Sequence, residues 1–268
     1  MSKVKLIECP RDAMQGIKTF IPTAEKVKYI QALLGCGFDT IDFGSFVSPK
    51  AIPQMQDTAE VLARLDLSRT QSELLAIVAN VRGAQDACKH EAIDYLGFPF
   101  SISENFQMRN THKTIDQSVE TLKGILELAD AHGKEVVTYI SMGFGNPYGD
   151  PWSVEIVGEW TEKLAEMGTR ILSLSDTIGS STPEVIAYLF SNLIPKYPEI
   201  EFGAHLHTTP SKWQGFGGCP MAKDELTGNM PTEKMLSYFT TEKADTGVNW
   251  LVFEAAFNKA TELFSVYH

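Results

Sequence analysis

The sequence lacks the features that mark several large protein classes. No stretch approaches the roughly 18 apolar residues of a membrane span, and the first residues, MSKVKLIECPRD, contain no apolar core typical of a secretion signal. There is no GxGxxG and no P-loop motif, which disfavours the common nucleotide-binding folds. The four cysteines are scattered and form no CxxC pair, so we expect reduced thiols in a cytoplasmic protein.

Basic residues are also scarce. Lys and Arg number 23 against 34 Asp and Glu, which leaves a net charge of −11. So acidic a surface argues against nucleic acid or an anionic membrane as the main partner, although a local positive patch can still bind an anionic small molecule. The apolar fraction of 43% in 268 residues is ordinary for a globular protein. Without repeats or a linker, we expect a single domain over residues 1–268.

Apolar strand-like segments alternate with amphipathic helical patterns along the chain. The strand-like segments are 3–9, 38–44, 74–80, 93–100, 135–142, 170–177 and 200–207. The clearest helical patterns are 23–37, 114–133, 152–168 and 183–197. This alternation is typical of parallel βαβ units, and seven of them without a break favour an α/β fold of the (β/α)8 TIM-barrel type.

In such a barrel the chemistry lies where the strands end, and polar residues gather there in this sequence. The polar residues at these ends are Arg11, Asp12, Asp42, Ser45, Asn80, Ser103, Glu104, Asp176, His205 and His207. His205 and His207 are two apart in a strand, so both imidazoles point to the same side. With Asp12 across the barrel mouth they predict a divalent-metal site suited to Mg²⁺ or Mn²⁺. Two hydrogen-bonded structural histidines are the alternative.

The segment GFGGCPMAKDELTGN follows this histidine pair. Cys219 lies after two glycines, so its thiol either serves proton transfer from a mobile loop or packs as a small apolar group. Asn229 precedes Pro231 and a helical stretch. Taken alone, it is more typical of a turn or helix cap than of a metal ligand.

Together these motifs resemble those of 3-hydroxy-3-methylglutaryl-CoA lyase, in the metal-dependent TIM-barrel lyase and synthase superfamily. The resemblance covers nearly the whole chain, through PRDAMQ, SFVSPKAIPQMQD, GNPYGDP, LSDTIGSSTP, HLH and GFGGCPMA. It implies metal-dependent carbon–carbon cleavage of the acyl-CoA thioester HMG-CoA to acetyl-CoA and acetoacetate, a step of leucine breakdown. It also implies a homodimer, for which the apolar C-terminal segment 249–264 is a candidate surface.

The resemblance also implies roles for individual residues. The metal ligands would be Asp12, His205, His207 and Asn229, and the catalytic residues Arg11, Asp12, Asp42 and Cys219. Arg11 would face the developing enolate, and Cys219 would transfer a proton. Further residues expected around the substrate or behind the site are Gln15, Ser45, Lys50, Asp176 and Glu233; Lys50 is a candidate contact for CoA phosphates.

The chain departs from the lyase pattern in several places. Asp42 stands where a longer Glu is usual, ECPRD is one residue short before its proline, and the segment before Asn229 carries one extra residue. These differences leave open a lyase for another acyl-CoA. A condensing synthase of the same superfamily is a rival that SFVSPK and GGCP disfavour. An acyl-CoA-binding relative without activity is a second rival if the short connection described next is a true deletion.

The connection after His207 is unexpectedly short. A parallel barrel needs a helix and an eighth strand there, and about 20 residues for these elements are lacking between Trp213 and Gln214. Either this segment is missing from the sequence or a natural deletion leaves the barrel open. An intact mass near 29.7 kDa would exclude the first interpretation.

Overall fold

The protein contains an eight-stranded sheet in a computed structural model that describes residues 3–209 and 228–267. The strands are β1 Ile7–Glu8, β2 Thr40–Ser45, β3 Glu73–Ile77, β4 Tyr95–Ser101, β5 Glu135–Ser141, β6 Ile171–Asp176, β7 Glu201–Thr208 and β8 Gly228–Asn229. They lie side by side in chain order. All seven predicted strands are therefore present, and the prediction of an α/β barrel fold is confirmed.

Ten helices connect or follow the strands in the described residues. They are α1 Pro10–Gln15, α2 Thr23–Leu34, α3 Thr58–Arg64, α4 Val81–Cys88, α5 Glu104–Thr111, α6 Ile115–Ala131, α7 Val154–Glu166, α8 Pro183–Lys196, α9 Thr232–Thr241 and α10 Trp250–Tyr267. A short 3-10 helix, Pro53–Met55, lies in the loop after β2. The predicted long helices match α2, α6, α7 and α8 to within a few residues.

The sheet is parallel from β1 to β7 and curls into a half-barrel. β8 differs from the eighth strand of a regular barrel, because it is only two residues long and pairs antiparallel with β7, placing Asn229 opposite His207. Within the described ranges, no strand pairing joins β8 back to β1. The proposed gap between Trp213 and Gln214 lies outside the described residues and stays a hypothesis.

Strands β2 to β6 are mostly buried because the half-barrel packs on both sides. All six residues of β2 are buried, which is typical of a parallel strand covered by helices on one face and filled on the other. A separate apolar cluster of Leu75, Ile77, Val137 and Tyr139 fills the interior from β3 and β5. The larger apolar cluster includes residues of both strands and helices, so the sheet's outer face is covered as well.

Four short helices were not predicted from the sequence, and α1 corrects the placement of the PRD motif. Arg11 and Asp12 were predicted at the end of a strand, but they lie in a helix that starts at Pro10 directly after the short β1. Proline suits the first position of a helix because its missing N–H would have no helical partner there. Six residues are too few for a helical apolar period to be recognised in a sequence.

The described part of the chain contains no helix that is both long and apolar enough to cross a membrane. Cys9, Cys36 and Cys88 are free thiols. Cys219 lies outside the described residues.

Candidate metal centre and active site

Three side chains meet at the mouth of the half-barrel. The Nε2 atoms of His205 and His207 are 3.2 Å apart, and Asp12 Oδ2 lies 3.8 Å from His205 Nε2 and 3.6 Å from His207 Nε2. One ligand atom from each residue lies within 4.8 Å of the other two, which is the spacing of groups that can hold one metal ion. Strand alternation therefore brings the HxH pair together as predicted.

His207 is oriented by a backbone carbonyl behind it. Its Nδ1 lies 3.1 Å from the carbonyl oxygen of Thr177, and since a carbonyl only accepts, Nδ1 carries the proton. The Nε2 atom of His207 therefore faces Asp12 and His205, and its lone pair can bind a cation when Nε2 is unprotonated. Asp176 shapes the turn that presents Thr177, because its carboxylate accepts hydrogen bonds of 2.8 Å from the backbone N–H groups of Ser180 and Ser181.

The electrostatics of the three groups suit a cation. Burial and, to a lesser extent, the neighbouring His207 lower the pKa of His205 to about 4, so His205 is neutral near pH 7. Burial also lowers the pKa of His207, but the Asp12 carboxylate outweighs it and raises the pKa overall. For Asp12, burial raises the pKa, but Arg11 and the imidazoles hold it below its usual range, so the carboxylate stays ionised.

Two buried oxygen atoms without hydrogen-bond partners indicate whether these residues are suited to bind a metal ion. Asp12 Oδ2 and Asn229 Oδ1 are buried and have no hydrogen-bond partner within the described residues. Unpartnered buried oxygens cost free energy unless a cation or water satisfies them. Asn229 lies opposite His207 in the β7–β8 pair and is not the cap of α9, which is Pro231. The two imidazoles and the carboxylate therefore form a donor set suited to a divalent cation, and Asn229 stays the predicted fourth ligand.

Arg11 lies beside this cluster, held by two carboxylates. Its Nη2 donates to Asp42 Oδ2 at 2.6 Å, its Nε lies 3.1 Å from the same oxygen, and its Nη1 donates to Asp12 Oδ1 at 2.9 Å. Gln15 Nε2 donates to the same oxygen of Asp12. Burial raises the pKa of Asp42, although Arg11 opposes this, and the two carboxylates keep the guanidinium charged.

The remaining predicted site residues lie apart from the cluster. Ser45 is buried, and its hydroxyl donates to the Ile77 carbonyl at 3.2 Å, which is a structural role. Lys50 is exposed in the loop after β2. Glu233 lies near Glu8, whose pKa burial raises to about 7 with a further contribution from Glu233. Cys219 lies outside the described residues, so its proposed role stays a prediction.

Tyr139 is a site residue that the sequence reasoning missed. Its ring stands edge-on to the imidazole of His205, with ring centroids 5.6 Å apart. Burial raises the pKa of its hydroxyl well above the ordinary value, so it stays protonated. In the sequence it is one of several apolar or aromatic residues in a buried strand. Only the curl of the sheet brings it against a metal-ligand candidate.

Several known proteins are similar to this chain in sequence and in fold. The family model described as HMGL-like matches residues 3–212. The mitochondrial hydroxymethylglutaryl-CoA lyase of Bos taurus is 33% identical over 92% of this chain and 81% of its own. The 3-hydroxy-3-isohexenylglutaryl-CoA/hydroxy-methylglutaryl-CoA lyase of Pseudomonas aeruginosa is also 33% identical, over 92% of this chain and 88% of its own. The HMG-CoA lyase structure from Brucella melitensis superposes with a TM-score of 0.89 at 29% identity, covering 98% of this chain and 99% of that one.

Proposed function

The chain belongs to the HMGL-like family, and from this membership we propose that it is a hydroxymethylglutaryl-CoA lyase. It would cleave a carbon–carbon bond of HMG-CoA to give acetyl-CoA and acetoacetate. The observation that carries this proposal is the cluster of Asp12, His205 and His207 with the Arg11 guanidinium beside it. The proposed ligands of Mg²⁺ or Mn²⁺ thus lie next to the guanidinium of Arg11. This fixed positive charge can stabilise the negative charge that develops on the substrate.

In the proposed reaction the substrate's tertiary hydroxyl loses a proton, and the adjacent carbon–carbon bond breaks. The bonding electrons pass to the thioester enolate, acetoacetate leaves, and a proton returns to the enolate carbon to give acetyl-CoA. A divalent cation held by Asp12, His205, His207 and Asn229 would make the hydroxyl more acidic. We propose Cys219 for the return of the proton, on the resemblance of GFGGCPMA to the lyase motif.

Arg11 is suited to stabilise the enolate oxygen. A guanidinium has five N–H donors, and Asp42 and Asp12 engage three of them in the bonds described. The two that remain can donate to a substrate oxygen without moving the side chain. A donor that is already fixed where charge develops lowers the barrier, because it need not reorganise during the reaction.

Two further expectations accompany this function. We propose that the protein works in the cytoplasm as a homodimer with an acyl-CoA substrate, without a nucleic-acid or membrane partner. Exposed apolar side chains of α10, including Leu251 and Val266, support a subunit contact. Sedimentation of the purified protein and fractionation of the source cells test the two points.

The first experiment is acetoacetate release from HMG-CoA with Mg²⁺ or Mn²⁺, followed by a chelator. We expect cleavage that stops when the metal is removed and returns when it is restored. His205→Ala should lower kcat/KM by about 100-fold or more, because it removes a proposed ligand. His90→Ala, on a histidine outside the site, is the matched control and should cleave normally. Cleavage that survives chelation and the His205 substitution would contradict the proposal.

A lyase reaction on a larger acyl-CoA is the second candidate. The Pseudomonas aeruginosa relative is named for both an isohexenyl and a methyl substrate, and it is as similar to this chain as the bovine lyase. Comparing kcat/KM for the two thioesters with the same metal decides between them. A condensing synthase would instead join an acyl-CoA to a 2-oxo acid, which the same assay mixture reveals by product analysis.

A further inference from the structure

A buried lysine outside the metal cluster ties together two loops of the barrel mouth. Lys26 of α2 is only 2% exposed, and its Nζ donates to Asp57 Oδ1 at 2.6 Å and to the carbonyl oxygen of Gln54. The other oxygen of Asp57 accepts a 2.8 Å hydrogen bond from Thr23 Oγ1. Phe20 covers the ammonium group, with its ring centroid 4.2 Å away.

The Gln54 side chain bonds a stretch of chain that has no regular structure of its own. Its Nε2 donates to the carbonyl oxygens of Ile17 and Thr19, each at 3.0 Å, and its Oε1 accepts from the backbone N–H of Ile21 at 2.9 Å. Gln54 is 2% exposed. The Gln54 amide thus makes hydrogen bonds with three backbone groups of the segment 17–21. In a regular helix or strand, other backbone groups would make such bonds.

These contacts connect the segment that follows α1 to the loop that follows β2, and α1 and β2 carry the proposed catalytic groups. The segment 17–21 directly continues α1, which holds Arg11 and Asp12. Gln54 belongs to the 3-10 helix in the loop after β2, and the strand β2 itself contains Asp42. α1 also packs against this 3-10 helix. The bracket formed by Lys26, Gln54 and Asp57 therefore joins α1 to the β2 loop from behind the Arg11–Asp42 contact.

We propose that this bracket is a positioning device for the metal and enolate site, with Gln54 as its central residue. A buried ion pair contributes little net stability compared with apolar groups of the same volume, because both charges lose their hydration. Its advantage here is geometric, since it fixes where α1 lies relative to β2. In the described residues Lys26, Gln54 and Asp57 make no hydrogen bond to Asp12, His205 or His207, so the bracket acts through the placement of Arg11 and Asp12. This inference rests on the proposed function.

The test is Gln54→Met, which keeps the length of the side chain and leaves the Lys26–Asp57 pair intact. We expect Mn²⁺ affinity, measured by calorimetric titration of the purified protein, to fall about 10- to 100-fold, with a comparable loss of kcat for HMG-CoA. Both are measured well below the unfolding midpoint of each variant. Gln54→Glu keeps the acceptor for the Ile21 N–H but sets a second acceptor oxygen against the Ile17 and Thr19 carbonyl oxygens, so it should lose at least as much Mn²⁺ affinity as Gln54→Met.

Two more variants keep the test decisive if Gln54→Met unfolds. Thr23→Val removes only one hydrogen bond to Asp57 and should weaken Mn²⁺ binding severalfold in a folded protein. Lys28→Met changes the charge of an exposed residue on the same helix and should change nothing.

Unchanged Mn²⁺ affinity and kcat in folded Gln54→Met or Thr23→Val would overturn the bracket, and so would wild type that binds no Mn²⁺. Wild type that binds Mn²⁺ but releases no acetoacetate would refute the proposed function alone, and the Mn²⁺ titrations would still decide the bracket.

Discussion

At the scale of single residues, the shape of Arg11 matters as much as its charge. The guanidinium binds Asp42 through Nε and Nη2 and Asp12 through Nη1, so its plane is fixed by contacts on two sides. Lysine carries the same charge on a single nitrogen and cannot reproduce this geometry. The position of the positive charge relative to the metal cluster therefore depends on the fork of the arginine.

We predict that Arg11→Lys lowers kcat for HMG-CoA cleavage by about 100-fold, because loss of a positioned donor to a developing oxyanion has effects of this order. The charge next to Asp12 is kept, so Mn²⁺ affinity should change much less than kcat. Steady-state kinetics and metal titration measure the two effects separately. Arg64→Lys, at an exposed arginine paired with Glu60, is the control. Near-normal kcat in Arg11→Lys would remove Arg11 from the proposed mechanism.

At the scale of elements, close contacts between loops set where the helices lie. Gly37, just after α2, has a φ of +89°, and a Cβ placed on it would come within 2.5 Å of the Gly247 carbonyl oxygen. Gly247 lies in the loop before α10, and α10 packs along α2 through the edge-on rings of Tyr29 and Phe264. The glycine thus permits the approach that seats the C-terminal helix against the barrel.

We predict that Gly37→Ala lowers the free energy of unfolding by about 2 to 4 kcal/mol, since the left-handed backbone and a backbone clash add up. Gly133→Ala is the matched control, because Gly133 also has a positive φ but no atom within 4 Å of the added Cβ. It should lose only about 1 kcal/mol. Chemical denaturation of both variants gives the comparison, and equal losses would show that the contact with Gly247 is unimportant.

At the scale of the whole molecule, the candidate metal cluster lies between the first and last strands of the parallel part of the sheet. Asp12 follows β1, and the two histidines belong to β7, yet Asp12 Oδ2 lies 3.6 Å from His207 Nε2. No strand pairing joins these two strands in the part of the chain that the structure describes. A cation held by both sides would act as a cross-link between the first and last parallel strands.

We predict that Mn²⁺ at about 100 times its dissociation constant raises the unfolding midpoint by roughly 5 to 10 °C. Binding to the folded state alone contributes about 2.7 kcal/mol under these conditions, and each kcal/mol corresponds to about 2 to 4 °C for a domain of this size. Thermal unfolding with and without the ion measures the shift. The double variant His205→Ala, His207→Ala should show none. An equal shift in that variant would place the stabilising ion elsewhere.

The sequence by itself determined the class of fold and the histidine pair. Buried parallel strands require nearly continuous apolar runs, and helices require a period of 3.6, so both kinds of element can be read from local composition. Strand alternation also put His205 and His207 on one side, because a period of two is a local property of the backbone. The lyase motifs placed the other proposed ligands, but only through resemblance to known proteins.

Only the tertiary structure decided how distant residues meet. Three contacts join residues that are far apart in the sequence: Asn229 and His207 are 22 positions apart, Arg11 and Asp42 are 31 apart, and Gln54 and Ile17 are 37 apart. Tyr139 became a site residue for the same reason. Such contacts depend on the curvature of the sheet and the packing of its loops. These arise from the summed burial of many side chains, so no local pattern reveals them.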